Sequence, residues 1–583
     1  MSRLLISAAH KSSGKTTITV GLCAALSALG QTVQTFKKGP DYIDPMWLGQ
    51  ASGRPCFNLD PYLTSNPKVV ACFSRHAASA DISIVEGNKG LYDGLALDGS
   101  NSNAALAHLL DLPVVLVLDA RGMTRGIAPL ILGYQAFDPR IKIAGVILNQ
   151  LGGSRHESKL RAVIEHYTDV TVVGAVAHDP KLGMTERHLG LMPNHELDNA
   201  TQLVQTIGEQ IAAQVDVSQI LQIAAAATPL TVPPTSQTAL GQASLPVRIG
   251  VARDQAFGFY YPDDLQALQA AGAEIVNFDT LNDPQLPAVD GLFIGGGFPE
   301  MFMTELAANH SLRDNIRTAI EADLPVYAEC GGLMYLARTL SWHDTTCAMV
   351  GALPVDVTMH PRPVGRGYVE LQATADAPWP VSAGTEPIRG HEFHYSSLGN
   401  MAPELKFAYQ VKRGHGVDGQ HDGIVYRNVL ASYSHLRSGA GSDWTNAFVK
   451  FVRSKTSRLQ VAPSPRHVVS AVHQTVVDGQ PIATDVEGYL LNMDDWSESF
   501  ARARANIENL DLTAAHWEVI RFLRAHFEEH RVQAQVRMMI WHFAKAWGPA
   551  LGNNHHLHTL FPVGGPQKQG NRLAGLWKTK GEH

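Results

Sequence analysis

AHKSSGKTT, Ala9–Thr17, stands between the apolar run RLLISAA and the helical pattern TTITVGLCAALSALG. A strand, a glycine-containing turn and a helix in that order aim backbone N–H groups at one point, where they can cradle phosphate. Lys15 would meet the phosphate charge and Thr16 would offer its hydroxyl to Mg²⁺, with Ser13, Gly14 and Thr17 completing the loop. The match to GxxxxGK followed by Ser or Thr departs at its first glycine, where Ala9 stands.

Downstream, DISIVEG, LPVVLVLDA and IAGVILN continue a β-α-β rhythm to about residue 215, which predicts a doubly wound, mostly parallel α/β sheet. Such sheets bind ligands at the carboxyl ends of their strands. KKGPDYIDP, Lys37–Pro45, places Asp41 and Asp44 on a turn, and IVEGNKGLYDG, Ile84–Gly94, puts Glu86 at a strand end. Thr16, Asp41, Asp44 and Glu86 are therefore the expected Mg²⁺ ligands, held directly or through water.

Composition sets outer limits. At roughly 100–200 residues per domain, 583 residues require several domains. A formal charge of −7 is weak for this length, and no polyanion such as nucleic acid is an expected partner. No run approaches the ~18 apolar residues of a membrane span, and the start passes straight into the phosphate loop, so a cytoplasmic protein without a membrane partner is expected. The five cysteines, Cys23, Cys56, Cys72, Cys330 and Cys347, lack CxxC spacing and fit a reducing compartment.

Residues 225–246, rich in Ala, Pro, Ser and Thr, and residues 455–475 read as linkers, dividing the chain into modules 1–224, 247–454 and 476–583. In the middle module LPVYAECGGLMYLA, Leu324–Ala337, sets Cys330 between an apolar strand and a helical pattern, with Gly331 and Gly332 permitting a sharp turn. A strand–nucleophile–helix elbow exposes sulfur at a helix N-terminus, where thiolate is favoured. GGGFPE, Gly295–Glu300, offers backbone donors; Gly296 and Gly297, with Gly331, are the expected oxyanion hole. Cys347 reads as structural.

These motifs resemble the cobyrinate a,c-diamide synthase family. SSGKT, KGPDYIDP, GLYDG, GVILN, Gly153–His156 and ERHLGL (Glu186–Leu191) occur in that family's order, and the likeness spans about the first 450 residues. It implies a P-loop NTPase-like synthetase domain joined to a class I glutamine amidotransferase domain of flavodoxin-like fold. It further implies that MgATP phosphorylates a tetrapyrrole carboxylate and that ammonia from L-glutamine displaces the phosphate. On this reading Cys330 attacks the glutamine amide, His435 in VLASYSHLRS receives and returns the proton, and Asn149 hydrogen-bonds the adenine edge or simply ends its strand.

Two departures limit the carry-over. Many class I glutaminases carry a carboxylate two residues after the histidine, where this chain has Arg437, so a third triad member is not assigned. His391 and His394 in RGHEFHYS fit substrate-side or orienting roles. The aromatic cluster Phe257, Phe259, Tyr260 and Tyr261 fits either a macrocycle platform or core.

The last 105 or so residues read as a small, mainly α module. SESFARARANIE and LTAAHWEVIRFLRAHFEEH are its helices, the second capped by Thr513. Gly488-Tyr489, Trp496, His516-Trp517, Leu560-Phe561-Pro562 and Ala574-Gly575-Leu576 resemble the DsrC/TusE family, whose flexible C-terminal arm carries sulfur on cysteines. Here GPQKQGNRLAGLWKTKGEH reads as a mobile tail with Asn571 and Glu582 at the two cysteine positions, so sulfur carriage is excluded. His555, His556 and His558 lack zinc spacing, and Arg524, Arg531 and Arg537 read as a solvated helix face.

Together these features predict an ATP- and glutamine-dependent ligase acting on tetrapyrrole carboxylates. The fused tail module points to a siroheme-type ring and to docking on dissimilatory sulfite reductase; cobyrinate is the alternative ring. A non-catalytic scaffold is the rival reading, opposed by the presence of Lys15, Thr16, Glu86, Cys330 and His435.

Overall fold

The computed structural model describes the chain apart from residues 185, 188–189, 198, 231–245, 380–386, 439–441, 462–472, 486, 491, 531–532, 549 and 577–583. The chain forms two compact units, Met1–Arg458 and Leu459–His583, so the first two modules expected from the sequence make one body. Most of the expected 225–246 linker lies outside the described residues. The second linker is shorter than expected: helix Trp444–Val461 runs into it and strand His473–Val477 closes it, leaving 462–472, which also lie outside the described residues.

Seven parallel strands build the first sheet: β1 Ser2–Ala8, β2 Val33–Lys38, β3 Phe57–Leu59, β4 Ile82–Glu86, β5 Val114–Asp119, β6 Ile143–Leu151 and β7 Val172–Ala177. Their order, β3-β2-β4-β1-β5-β6-β7, turns back across β1. A parallel sheet covered on both faces needs unbroken apolar runs. Leu4, Leu5 and Ile6 of β1 and Val114 to Leu118 of β5 supply them, all fully buried. Helix α1, Lys15–Ala28, follows β1 through Gly14, whose φ of 80° lets the loop turn sharply into the helix. Helix α2, Ile43–Ser52, follows β2.

A mixed ten-stranded sheet forms the rest of this unit. Ala273–Phe278, Val247–Ala252, Gly291–Ile294, Val326–Glu329 and Val429–Ser432 are parallel neighbours. Beyond them the sheet continues antiparallel through His421–Tyr426, Lys406–Arg413, Gly365–Ala373, Ile388–His394 and the short His435–Leu436. The flavodoxin-like half is thus extended by strands that carry His391 and His435 to neighbouring register positions.

Of the four aromatic residues in doubt, Phe257, Tyr260 and Tyr261 are buried. Tyr260 donates its hydroxyl to Ala252 O at 2.5 Å and accepts the Gly295 N–H at 3.0 Å. Only Phe259 remains partly open, stacked on Tyr42 at 5.3 Å and 2°.

The second unit pairs a hairpin, His473–Val477 with Gln480–Thr484, with helices Glu498–Ile507, Ala514–His530, Val536–Trp547 and Asn554–Leu560. Phe500, Ile520, Leu523, Phe543, Phe561 and Leu573 are buried within it. Thr513 begins the long helix as expected, with an unusual partner. Its N–H and hydroxyl lie 3.1 and 2.8 Å from His516 Nδ1, which stands where a capping box has Glu, and His516 Nε2 reaches Leu560 O at 2.7 Å.

The tail departs from expectation as far as it is described. Pro566–Gly570 forms a π-helical turn and Asn571–Leu573 a helical one, with Gln569 and Asn571 fully buried. Trp496 Nε1 donates to Leu573 O at 2.8 Å, and Arg572 pairs with Glu508 at 2.6 Å. The segment to Leu576 is therefore part of the core, and Glu582 lies outside the described residues. Arg524 is also more than a solvated group: it lies 3.9 Å over the Trp496 ring and donates to Ala574 O. Among the described residues no helix is long and apolar enough to cross a membrane.

Candidate active site

The phosphate loop meets the ends of β2 and β4. Thr16 Oγ1 donates to Glu86 Oε1 at 2.8 Å and lies 3.3 Å from Asp44 Oδ2, while Lys15 Nζ lies 3.5 Å from Glu86 Oε1. Ser13 and Thr17 flank them, buried and half-buried. Three of the four expected Mg²⁺ ligands converge. Asp41 stands beside them, one residue before the N-cap Tyr42 of α2, its Oδ1 accepting the N–H groups of Ile43 and Asp44 at 2.9 and 3.0 Å. Burial and the Asp44 charge push its carboxyl up. Asn149 holds the loop: its amide donates to Ser13 O at 2.8 Å, packed against Gly14.

Sequence reasoning missed Lys37. It is 1% exposed and its ammonium bridges Asp44 and Glu86 Oε1, the latter at 2.7 Å. Burial opposes its charge, but the two carboxylates outweigh burial and hold the lysine protonated. Lys38, equally buried, bonds Asn101 O and Oδ1 at 2.6 and 2.7 Å, with no carboxylate hydrogen bond, and burial lowers it to about 8. The sequence signal was slight: two charges end VQTFKK, a strand of mixed polarity that is buried along its whole length.

A divalent cation fits this cluster. Glu86 Oε2 is buried without a hydrogen-bond partner, and an acceptor-only oxygen in that state calls for a cation or donor. Thr16, Asp44 and Glu86 would hold it.

At the other end Cys330 forms the elbow, with φ 49° and ψ −101° between strand Val326–Glu329 and helix Gly331–Leu336. A Cβ at Gly332 would lie 2.1 Å from Ile294 O, so the turn can pack only on glycine. Gly297 lies against Gly331 and lines the cavity holding Cys330, whereas Gly296 lies against the His435 ring.

Cys330 and His435 line the same cavity; Cys330 Sγ lies 4.0 Å from Phe393 O, and His435 Nδ1 lies 3.3 Å from Glu329 Oε2. The carboxylate missing after the histidine therefore comes from the residue before the cysteine. Glu329 Oε1 accepts the Leu436 N–H at 2.9 Å and the Tyr327 hydroxyl at 2.7 Å, which fixes its orientation. His391 stacks on His435 at 4.8 Å and is held neutral by burial and by the charges of His435 and Arg437. His394 lies on Tyr433 and contacts Ser396 O.

Burial alone would lower His435, but its contacts with Cys330 and Glu329 outweigh burial and raise it to about 10. A raised histidine stabilises the fold fully below the unfolded value near 6.5 and loses that stabilisation as pH rises through about 10. Glu329→Gln removes one of the raising contacts and should narrow this window. Melting temperatures at pH 7 and above 9 should diverge more for the native protein than for Glu329→Gln; equal losses would contradict this assignment.

A cavity of about 340 Å³ runs from the cysteine elbow to the loop between β2 and α2. Lys38, Asp41, Tyr42 and Lys89 line it from one side, Cys330 and His435 from the other. A second cavity of about 930 Å³ shares Asp41 and Tyr42 with it and is bordered by Arg54, His195 and Arg253.

A nucleotide-binding module and a cysteine–histidine–carboxylate elbow in one body define a glutamine-hydrolysing amidotransferase ligase. Residues 5–190 match the CobQ/CobB/MinD/ParA nucleotide binding domain, residues 248–441 the CobB/CobQ-like glutamine amidotransferase domain, and residues 475–581 the DsrC-like protein family. A relative from Magnetococcus marinus named cobyrinate a,c-diamide synthase is 47% identical over 79% of this chain and 98% of its own; another from Methanosarcina acetivorans with that name is 43% identical over 78% and 97%. The chain belongs to the cobyrinate a,c-diamide synthase family, extended by a DsrC domain. A solved structure of Allochromatium vinosum DsrC is 42% identical, covering 19% of this chain and 97% of that one at a TM-score of 0.18.

Proposed function

We propose that this protein uses MgATP and glutamine to amidate peripheral carboxylates of a tetrapyrrole, and that the ring is of the siroheme type. The observation that carries the reading is the cavity shared by Cys330 and His435 with Lys38, Asp41 and Lys89, which would keep released ammonia beside the carboxylate to be amidated. The larger neighbouring cavity, near the top of the ~300–1,000 Å³ usual for ligand pockets, offers room and the cations Arg54 and Arg253 for an acidic ring.

In the glutaminase half the Cys330 thiolate attacks the glutamine amide carbon and His435 gives a proton to the leaving ammonia. Water then cleaves the thioester to glutamate, and Gly297 and Gly331 offer N–H groups to the oxyanion. Glu329 holds the imidazolium in register. In the synthetase half a carboxylate oxygen of the ring attacks the γ-phosphorus and ADP leaves. Ammonia attacks the acyl carbon and phosphate departs. Lys15 would neutralise charge on the transferring phosphoryl group, and Mg²⁺ bound by Thr16, Asp44 and Glu86 would add to that neutralisation.

The name of the relatives makes cobyrinate the competing ring. The DsrC-like unit favours siroheme through that family's expected link to sulfite reductase, and all five cysteines precede residue 348, so it has no thiol with which to carry sulfur. A docking role remains. Siroheme and cobyrinate, each incubated with protein, MgATP and glutamine, should be separated by mass spectrometry, siroheme losing about one mass unit per amide formed. Amidation of cobyrinate alone would overturn the choice of ring.

Deleting residues 476–583 should leave amidation of free substrate within about twofold, because every proposed catalytic residue lies in the other compact unit. The deletion should abolish co-purification of sulfite reductase. Equal capture by both forms would remove the docking role.

A further inference from the structure

We propose that Arg437 is a positioning residue through which the nucleotide end of the first unit sets the glutaminase end, so that glutamine hydrolysis at Cys330 responds to nucleotide at Lys15. This rests on the functional reading above. Three contacts from the amidotransferase part fix the chain just after His435: Glu329 on the Leu436 N–H, Asp263 on the Arg437 guanidinium at 2.6 Å, and Asp264 on the Ser438 N–H at 2.9 Å. The fourth comes from the other part, where Asn58 O accepts Arg437 Nη2 at 2.5 Å.

Asn58 leads onward. Its side-chain amide donates to Gly39 O and Asp41 O at 2.8 and 2.7 Å, clamping the loop between β2 and α2. Asp44, at the far end of that loop, faces Thr16 of the phosphate loop and is paired with Lys37. A line of bonded groups thus runs from Thr16 through Asp44, the loop and Asn58 to Arg437, two residues from His435. Packing reinforces it: the guanidinium lies 5.1 Å over the Tyr261 ring, and Tyr261 meets Tyr42 of the same loop at 4.6 Å.

Arg437 is 2% exposed. A buried cation tolerates the loss of a partner poorly, so a shift of the loop when nucleotide engages Thr16 and Lys15 must be followed by Arg437 or leave it short of a partner. Asp263 pairs with Nε and Nη2 and leaves Nη1 buried without a hydrogen bond, so the guanidinium has no partner to spare; the contact of Nη2 with Asn58 O is what ties it to the loop.

Glutamate release from glutamine by the full-length protein, measured with and without MgATP, tests this without a ring substrate. Wild-type release should rise on the order of tenfold with MgATP. Arg437→Lys and Asn58→Ala, the latter keeping the carbonyl that Arg437 uses, should each bring the ratio to about one, and the double variant should be no worse than either. Calorimetric binding of MgATP by each variant serves as the folding control. If Arg437→Lys fails that control, Asn58→Ala decides. Retained stimulation in Asn58→Ala, or losses that add in the double variant, would overturn the coupling. Wild-type release that ignores MgATP overturns the coupling alone; no release under either condition overturns the glutaminase reading and the coupling with it.

Discussion

Cys330→Ser should lose glutamine-dependent amidation by a factor on the order of 10³ or more, while amidation driven by ammonium salts stays within about twofold. The cysteine sits at a strained elbow beside a histidine held charged, and a serine hydroxyl in that place is not ionised by His435. Nothing at Lys15, Thr16 or Glu86 changes, so acyl phosphate still forms and outside ammonia can still displace it. The check is amide yield with each nitrogen source; glutamine use preserved in Cys330→Ser would place the nucleophile elsewhere.

The second large effect falls on both nitrogen sources. Lys15→Ala should reduce glutamine- and ammonia-driven amidation alike by on the order of 10²–10³, the usual cost of removing one preorganised group that stabilises transition-state charge. Lys37 cannot replace it, because its ammonium is already held between Asp44 and Glu86. ADP release should fall in parallel. Glutamate release without nucleotide should persist, which separates a local loss from misfolding. Ammonia-driven amidation at the native rate would remove Lys15 from the phosphoryl transfer.

Local order decided what was legible in the sequence. The phosphate loop and the cysteine elbow are each written in one stretch of strand, glycine turn and helix, and both formed where they were expected. Glu329 was equally local, one residue before Cys330. It was overlooked because the carboxylate was sought after His435, where other glutaminases carry it; only pairing of His435–Leu436 at the sheet edge brings Glu329 into reach. Arg437 registered as a departure from pattern, but its partner Asn58 lies 379 residues away, and no periodicity reports such a contact. The tail was misread because glycine spacing and basic charge describe a mobile arm as well as a π-turn. What decides between them is long-range packing, with Trp496 on Leu573 and Glu508 on Arg572.

Mass spectrometry of siroheme incubated with full-length protein, MgATP and glutamine carrying heavy nitrogen in its amide tests the central claim most directly. Heavy nitrogen in the ring's new amide, formed with ADP in equal amount and undiluted by added unlabelled ammonium, is the predicted result. Absence of any amide with siroheme and cobyrinate alike, from glutamine and from ammonium, would contradict the account.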